Sequence, residues 1–437
     1  MSKSKTTNNL HLNGNNGNNG NNGNNEKNSI NTTNTTNTTN TIQSRIFNIK
    51  NLLSNAKLEP INPLKTMDVG LETEFYEGPK ENRSLDTKTV LGKKTLDFYN
   101  IINRLNSKLV YIKSGAYGHT FKGIVTNDND EEIMSFAVKM VAYPRKNGYG
   151  SINNITRPEN SEICMLKLLS YFVIRSQTPH LILPIVTFNT SIKPFLTLQE
   201  EEVVSNDNAK YGEFISNYNQ EMYYETVSIV ISEWANRGDL SMFLKKHYQK
   251  LKLIHWQCIF FQIISTLAII QTKYPTFRHN DFKANNILIS KVDACNKLLI
   301  YKVSNKEYIL PAIGYNIYLW DFDFACIPGI VDNSKVYQEW TNKINIKPVK
   351  NRYYDIHYFF CTLIYKGFLP ELIEDPIVPK EVKKFIQWIV PPEYRPGHSS
   401  NKVNKRCRLQ VDDELYKPID ILDNEFFSPF LNHTKNK

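Results

Sequence analysis

Apolar residues recur with a period of two through one region of the chain and with helical spacing through another. Leu109-Val110-Tyr111-Ile112, Phe121-Lys122-Gly123-Ile124-Val125 and the run Ser135 to Val141 predict three strands, with a polar turn at Asn127 to Glu132. This is the pattern of a β-meander. Arg157 to Ile174 then predicts a helix, with Ile163, Leu166, Leu169 and Phe172 on one side. Thr226 to Trp234 predicts a further strand, ending in Ala235-Asn236-Arg237-Gly238-Asp239-Leu240. Beyond Gly238 the pattern is helical over Leu240 to Tyr248 and His255 to Gln271, where apolar residues surround most of the circumference, as in a core helix. Lys297 to Val303 with Glu307 to Leu310 predicts a hairpin inserted before Asp321, and helical spacing returns over Tyr354 to Tyr365 and Pro379 to Val390. A β-rich part followed by a helical part, joined at Trp234–Gly238, predicts an α+β chain of two lobes with a cleft between them.

The first 100 residues differ in character. Residues 1–41 hold an Asn-Asn-Gly repeat (Asn13 to Asn25) and an Asn-Thr-Thr repeat (Asn31 to Thr39), with almost nothing to bury, and are expected to be disordered. Ile42 to Ala56 has helical spacing in Ile42, Ile46, Phe47, Ile49, Leu52 and Leu53; Leu58 to about Asp97 is irregular. The divisions read from the pattern are therefore 1–41, an extension at 42–100, a β-rich lobe at 101–235 and a helical lobe at 236–432.

Composition narrows the class. Of 437 residues, 41 % are hydrophobic and 12 % aromatic, enough for a sizeable core. The net charge of +10 is scattered, and no nucleic-acid partner is predicted from it. The densest basic run, Lys402 to Arg408, reads as a solvated loop rather than an anion site. Six cysteines stand singly without zinc spacing, which fits a reducing compartment. The polar start carries no signal peptide, and the longest apolar stretch, Ile259 to Ile270, is too short to span a bilayer, so a soluble, cytoplasmic protein is expected.

Candidate chemistry concentrates in His279-Asn280-Asp281-Phe282-Lys283-Ala284-Asn285-Asn286, directly before an apolar Ile287-Leu288-Ile289. A strand beginning at Ile287 holds Asn286 at its mouth, with Asp281 and Lys283 on the loop above. Phosphoryl transfer to a hydroxyl needs such a set: a carboxylate to orient the hydroxyl and accept its proton, a cation near the transferring group, and a neutral oxygen on Mg²⁺.

The stretch resembles the H-R-D-L-K-x-x-N catalytic loop of protein kinases, with Asn280 where the Arg usually sits. Further elements follow in kinase order. Gly115 and Gly118 match the second and third glycines of the phosphate-covering loop, with Lys113 in place of the first and Thr120 in place of the usual Val. Ala137-Val138-Lys139 is similar to the V-A-I-K strand, whose lysine holds the α- and β-phosphates, with Glu162 as the acid that fixes it and Glu159 as the alternative. Ile231-Ser232-Glu233-Trp234-Ala235 resembles the hinge that receives adenine through backbone groups, which places Glu233 and Ala235 at the base, the small Ser232 at the depth of the pocket and Asp239 at the ribose. Trp320-Asp321-Phe322-Asp323 resembles D-F-G: Asp321 and Asn286 are then the Mg²⁺ ligands, Phe322 packs beneath the helix of Glu162, and Asp323 in place of Gly either adds a ligand or fixes one conformation. Asp355 resembles the aspartate that braces the catalytic loop, and Arg395 with Ile419 to Phe427 the closing helices. No A-P-E triplet stands between Asp321 and Asp355.

The resemblance covers about residues 105–430 and implies a bilobal protein kinase using ATP and Mg²⁺. The His-Asn-Asp and Asp-Phe-Asp forms look like the kinases of large cytoplasmic DNA viruses, including the poxvirus type. Lys283 follows the serine/threonine pattern, which implies a protein substrate bearing Ser or Thr. Asn280 implies activity without a phosphorylated activation loop. The altered glycine loop and the missing A-P-E leave open a nucleotide-binding pseudokinase or a small-molecule phosphotransferase of the same fold. The intact Lys139, Asp281, Asn286 and Asp321 weigh against the pseudokinase.

Overall fold

A computed structural model describes residues 42–61, 86–115, 118–293, 298–365 and 368–433. The tract expected to be disordered, residues 1–41, lies outside the described residues, as do Ala116 and Tyr117 of the glycine loop and Lys297 of the hairpin.

The helix expected in the extension forms as α1 (Ile42–Ala56). Within the stretch read as irregular, the described residues form short elements. Asp86 caps α2 (Thr87–Leu91) by accepting from Thr89 N at 2.8 Å, β1 (Lys94–Thr95) follows, and Asp97 caps α3 (Phe98–Arg104) through Asn100 N at 2.7 Å. Elements this short leave little periodicity, and their caps are the local signal.

The meander forms as β2 (Ser107–Ser114), β3 (Gly118–Thr126) and β4 (Glu132–Pro144). Its polar turn closes on Asn127, whose Oδ1 accepts from Asn129 N at 3.0 Å and Glu131 N at 2.9 Å. After α4 (Pro158–Ile174) come β5 (Pro184–Ser191), α5 (Ala209–Asn219) and β6 (Tyr223–Glu233). The six strands make one sheet in the order β1-β5-β6-β4-β3-β2, with only the β1–β5 pair parallel. Neither β5 nor α5 was expected from periodicity. β5 is buried on both faces, so alternation vanishes from it.

The helical lobe begins with α6 (Leu240–His247) and α7 (Leu253–Lys273). The twelve-residue apolar stretch of the sequence is the middle of α7, which at 21 residues is long and apolar enough to cross a membrane. Here it is the core helix: 78 % of its apolar window is buried, and Phe260 packs on Phe360 at 4.9 Å and on Phe385 at 6.0 Å. β7 (Ile287–Lys291) follows, then the hairpin β8 (Leu298–Val303) and β9 (Lys306–Pro311), then β10 (Tyr315–Leu319). The hairpin seals against the lobe interface, where Tyr301 OH lies 2.9 Å from His180 Nε2. α8 (Glu339–Lys343), α9 (Tyr354–Leu363), α10 (Lys380–Ile389) and α11 (Pro418–Ile421) complete the lobe. A β-rich lobe and a helical lobe thus flank one cleft, an α+β bilobal kinase fold.

Candidate active site

Strand register sets the upper half of the site. β3 pairs with β4 so that Thr120 faces Lys139, and β4 pairs with β6 so that Lys139 faces Val230. Lys139 therefore projects from the middle strand into the cleft. Its Nζ lies 2.6 Å from Glu162 Oε1 and 3.1 Å from Asp321 Oδ1. The alternative acid, Glu159, is turned away and pairs with Arg157 Nε at 3.1 Å. Burial alone would drive the proton off Lys139, but Asp321 and Glu162 outweigh it and raise the ammonium above its ordinary value. Burial pushes Glu162 up against the opposing pull of Lys139. At Asp321 burial also pushes up, and there Lys139 wins and holds the carboxyl low.

The glycine turn above Lys139 is tight. Gly115 N donates to Gly118 O at 2.7 Å, so that N–H is spent on closing the hairpin. A Cβ on Gly118 would meet Met140 O at 2.8 Å, so a close approach of β3 and β4 requires this glycine whatever else the turn does.

The lower half is set by one antiparallel pair. β7 and β10 align Ile287 with Leu319, and Trp320 N donates to Asn286 O at 3.2 Å. Asn286 and Asp321 consequently emerge side by side from adjacent strand ends. Asn286 Nδ2 donates to Asp281 O and Oδ2, both at 2.8 Å. Neither its Oδ1 nor Oδ2 of Asp321 has a donor among the described residues. Two oxygens of this kind fit Mg²⁺, which takes few protein ligands and completes its shell with phosphate and water oxygens.

Two residues here adopt left-handed backbone, Asn280 (φ 64°) and Asp321 (φ 61°). Asn tolerates that region better than Arg does, which is a backbone reason for Asn280. The strained loop is held from below. Asp355, fully buried, accepts from His279 N at 2.7 Å and Asn280 N at 2.9 Å. Asn280 Nδ2 reaches Phe324 O at 3.0 Å, and Phe322 is buried with its ring 5.0 Å from His279. Asp323 faces Lys335, which grips its carboxylate, so this aspartate pins one conformation of its segment.

The Asp281 carboxylate is crowded by donors. Lys283 Nζ lies 2.7 Å from Oδ2, and Arg408 Nη2 lies 2.8 Å from Oδ1. Burial would push this carboxyl up; Lys283 and Arg408 outweigh it and hold it below its ordinary value. Arg408 was expected in a solvated loop, and its burial corrects that reading. Lys405 and Arg406 of the same run are exposed.

At the back of the cleft, Ser232 is buried opposite Ala137, and Ala235 N meets no acceptor among the described residues. The Glu233 carboxylate points away from the cleft, taking Arg45 Nε at 2.8 Å and Nη2 at 2.6 Å, so only its backbone can serve a nucleotide. Asp239 uses Oδ1 to cap α6, accepting from Met242 N at 2.9 Å. The hinge is tied to the catalytic-loop strand by Arg237 N to Ile289 O at 3.1 Å and Ile289 N to Gly238 O at 2.9 Å.

Sequence reasoning missed Arg45, Lys335 and Arg408. Each meets its acid across a long span of chain, or, for Lys335, in a segment without periodicity, and none carries a local signal.

An ion-paired strand lysine, a braced catalytic loop and a second acid at a strand end, set between a β-rich and a helical lobe, define the protein-kinase class. Residues 149–390 match the family described as poxvirus serine/threonine protein kinase. A mimivirus protein (Acanthamoeba polyphaga mimivirus) bearing a serine/threonine-protein kinase name is 46 % identical over 336 residues, covering 76 % of this chain and 70 % of the relative. A second mimivirus protein with such a name is 33 % identical over 175 residues, 39 % of this chain and 43 % of that one. Serine/threonine-protein kinase 2 of monkeypox virus is 31 % identical over 170 residues, 37 % of this chain and 35 % of its own length. The chain belongs to the poxvirus serine/threonine protein kinase family.

Proposed function

We propose that the chain transfers the γ-phosphate of Mg-ATP to serine or threonine hydroxyls of protein substrates. The observation that carries this reading is the single cleft in which Lys139 lies between Glu162 and Asp321 while Lys283 and Asn286 hold Asp281. Lys139 binds the α- and β-phosphates, fixed by Glu162. Ala235 N and the backbone at Glu233 receive the adenine, and Asp239 lies toward the ribose. Asn286 Oδ1 and Asp321 hold Mg²⁺, which when bound neutralises charge on the phosphate oxygens. Asp281 orients the substrate hydroxyl and accepts its proton as the new O–Pγ bond forms and the bond from Pγ to the β–γ bridging oxygen breaks, releasing ADP; Lys283 stands beside it as the cation for the γ-phosphate.

The segment after Asp321 is tied down without a phosphate. Arg278 donates to Asn345 O at 3.2 Å and Val349 O at 3.3 Å, and its guanidinium lies 3.7 Å from the Tyr354 ring centroid. Phosphatase treatment of the pure protein is therefore expected to leave its activity unchanged.

A second reading, nucleotide binding without transfer, draws on Gly115, whose N–H is already spent within the turn. Labelled γ-phosphate transfer with Mg²⁺ to a basic protein and to the chain itself, wild type beside Asp281→Asn, separates the two. Transfer lost in the variant supports the kinase; no transfer with a thermal shift by Mg-ATP supports the second reading.

A further inference from the structure

Arg408 lies beyond the stretch that matches the family model and 127 positions from the carboxylate it touches. It is only 7 % exposed. Its Nη2 bonds Asp281 Oδ1 at 2.8 Å, its Nη1 bonds Asn280 O and lies 3.1 Å from Tyr354 OH, and its Cζ sits 4.3 Å from the Tyr358 ring centroid. Four contacts thus hold the guanidinium.

The loop that delivers it is built rather than loose. Asn404 Oδ1 accepts from Arg406 N at 2.9 Å and Arg408 N at 3.0 Å, and Asn404 N donates to Arg408 O at 2.9 Å. Val403 bridges Leu409, and Asn345 holds the Leu409 carbonyl from the segment after Asp321. A side chain fixed in this way acts as a bracket and not as a latch.

The consequence follows from counting acceptor positions. An ionised carboxylate offers about four lone-pair sites. On Asp281, Lys283 and Asn286 occupy Oδ2 and Arg408 occupies one site of Oδ1, which leaves one site on Oδ1 among the described residues. We propose that Arg408 is a positioning residue for phosphoryl transfer: it ties Asp281 Oδ1 to the Asn280 carbonyl and so holds that oxygen in place, with its last acceptor site left for the substrate hydroxyl. The proposal rests on the phosphotransfer reading of Asp281. A planar fork spans the two oxygens at once, and a lysine would supply the charge without that fixed span.

The test is steady-state transfer to a basic protein by wild type, Arg408→Lys and Arg408→Met. Loss of the fork is expected to lower kcat roughly ten- to a hundredfold in Arg408→Met, with KM for ATP within about twofold of wild type and partial recovery in Arg408→Lys. Unchanged kcat overturns the proposal, and so does a raised kcat, which would make Arg408 an autoinhibitory contact. If Arg408→Met fails to fold, Arg408→Lys alone decides: reduced kcat at unchanged ATP KM supports the role, and wild-type kcat overturns it. A melting cycle with Asp281→Asn reads the pair without turnover; the double variant Asp281→Asn/Arg408→Lys is expected to melt above the sum of the two single shifts. Additive shifts in a chain whose wild type is active overturn the Arg408 proposal alone. A wild type that transfers no phosphate sinks the phosphotransfer reading and the role of Arg408 with it.

Discussion

Two buried arginines, far apart in the chain, brace acids of the candidate site, and they do different work. Arg45, on α1, grips both oxygens of Glu233 and donates to Pro179 O and Leu181 O, each at 2.6 Å, while its guanidinium lies 5.0 Å from the Tyr318 ring centroid. It joins the hinge, the entry to β5 and the strand before Asp321, all behind the reacting atoms. Arg408 makes an ion pair of similar length, but with the carboxylate to which the proposed transfer assigns the substrate hydroxyl. The difference shows that burial and pairing do not by themselves mark a functional residue. What the partner carboxylate is assigned to do next decides it: in the proposed function Asp281 meets the substrate hydroxyl, and the Glu233 carboxylate takes no part.

The sharpest break of this comparison is at Asp281. Asp281→Asn is expected to lower kcat per folded molecule by roughly a hundredfold or more in the transfer assay, beyond the fall in melting temperature that its weakened pairing with Arg408 brings. Arg45→Ala should do the opposite. It strands Glu233 and two carbonyls in a mostly buried site, a loss of about 3–5 kcal/mol in urea unfolding, while kcat per folded molecule stays within a few-fold. A large kcat loss at full stability in Arg45→Ala would erase the distinction between the two arginines.

Acid should strain both sides. Burial drives His180, beside the Arg45 site, down to about 3 and His357, on α9 with the Arg408 contacts, down to about 4. Both are neutral in the fold, and the unfolded chain takes up their protons below about pH 6.5. Their contribution to stability is therefore complete above that value and is lost as pH falls toward 4 and 3, at up to about 1.4 kcal/mol per pH unit for each. Urea midpoints measured from neutral pH downward should fall, and His357→Gln should flatten the slope; an unchanged midpoint contradicts the buried neutral state.

The smallest expected effect concerns the hinge that Arg45 backs. Ser232 is small and buried; if it lines the proposed adenine site, a bulky ATP-competitive analogue should inhibit wild type roughly tenfold more strongly than Ser232→Phe. Equal inhibition would remove Ser232 from the pocket wall.

Much of this was legible because it is local. Asn286 stands at the mouth of a strand because an apolar Ile-Leu-Ile run follows it, and Glu162 lies on the helix whose spacing is plain from Ile163 to Phe172. The order of Lys139, Glu162, Asp281, Asn286 and Asp321 is itself a sequence property, and it predicted a two-lobed α+β chain with its chemistry in the cleft. Periodicity was silent where it had to be: β5 is buried on both faces, and β1, α2 and α3 are too short to show a repeat. The partners of charges were decided by tertiary structure alone. Lys402 to Arg408 reads as one basic run, yet exposed Arg406 and buried Arg408 differ only in which way a short hydrogen-bonded loop turns them. Likewise nothing near Arg45 announces Glu233, 188 positions away. Backbone preference and burial period act over a few residues and are written in order along the chain. An ion pair depends on where two distant segments come to rest, and only the packed fold brings them within 3 Å.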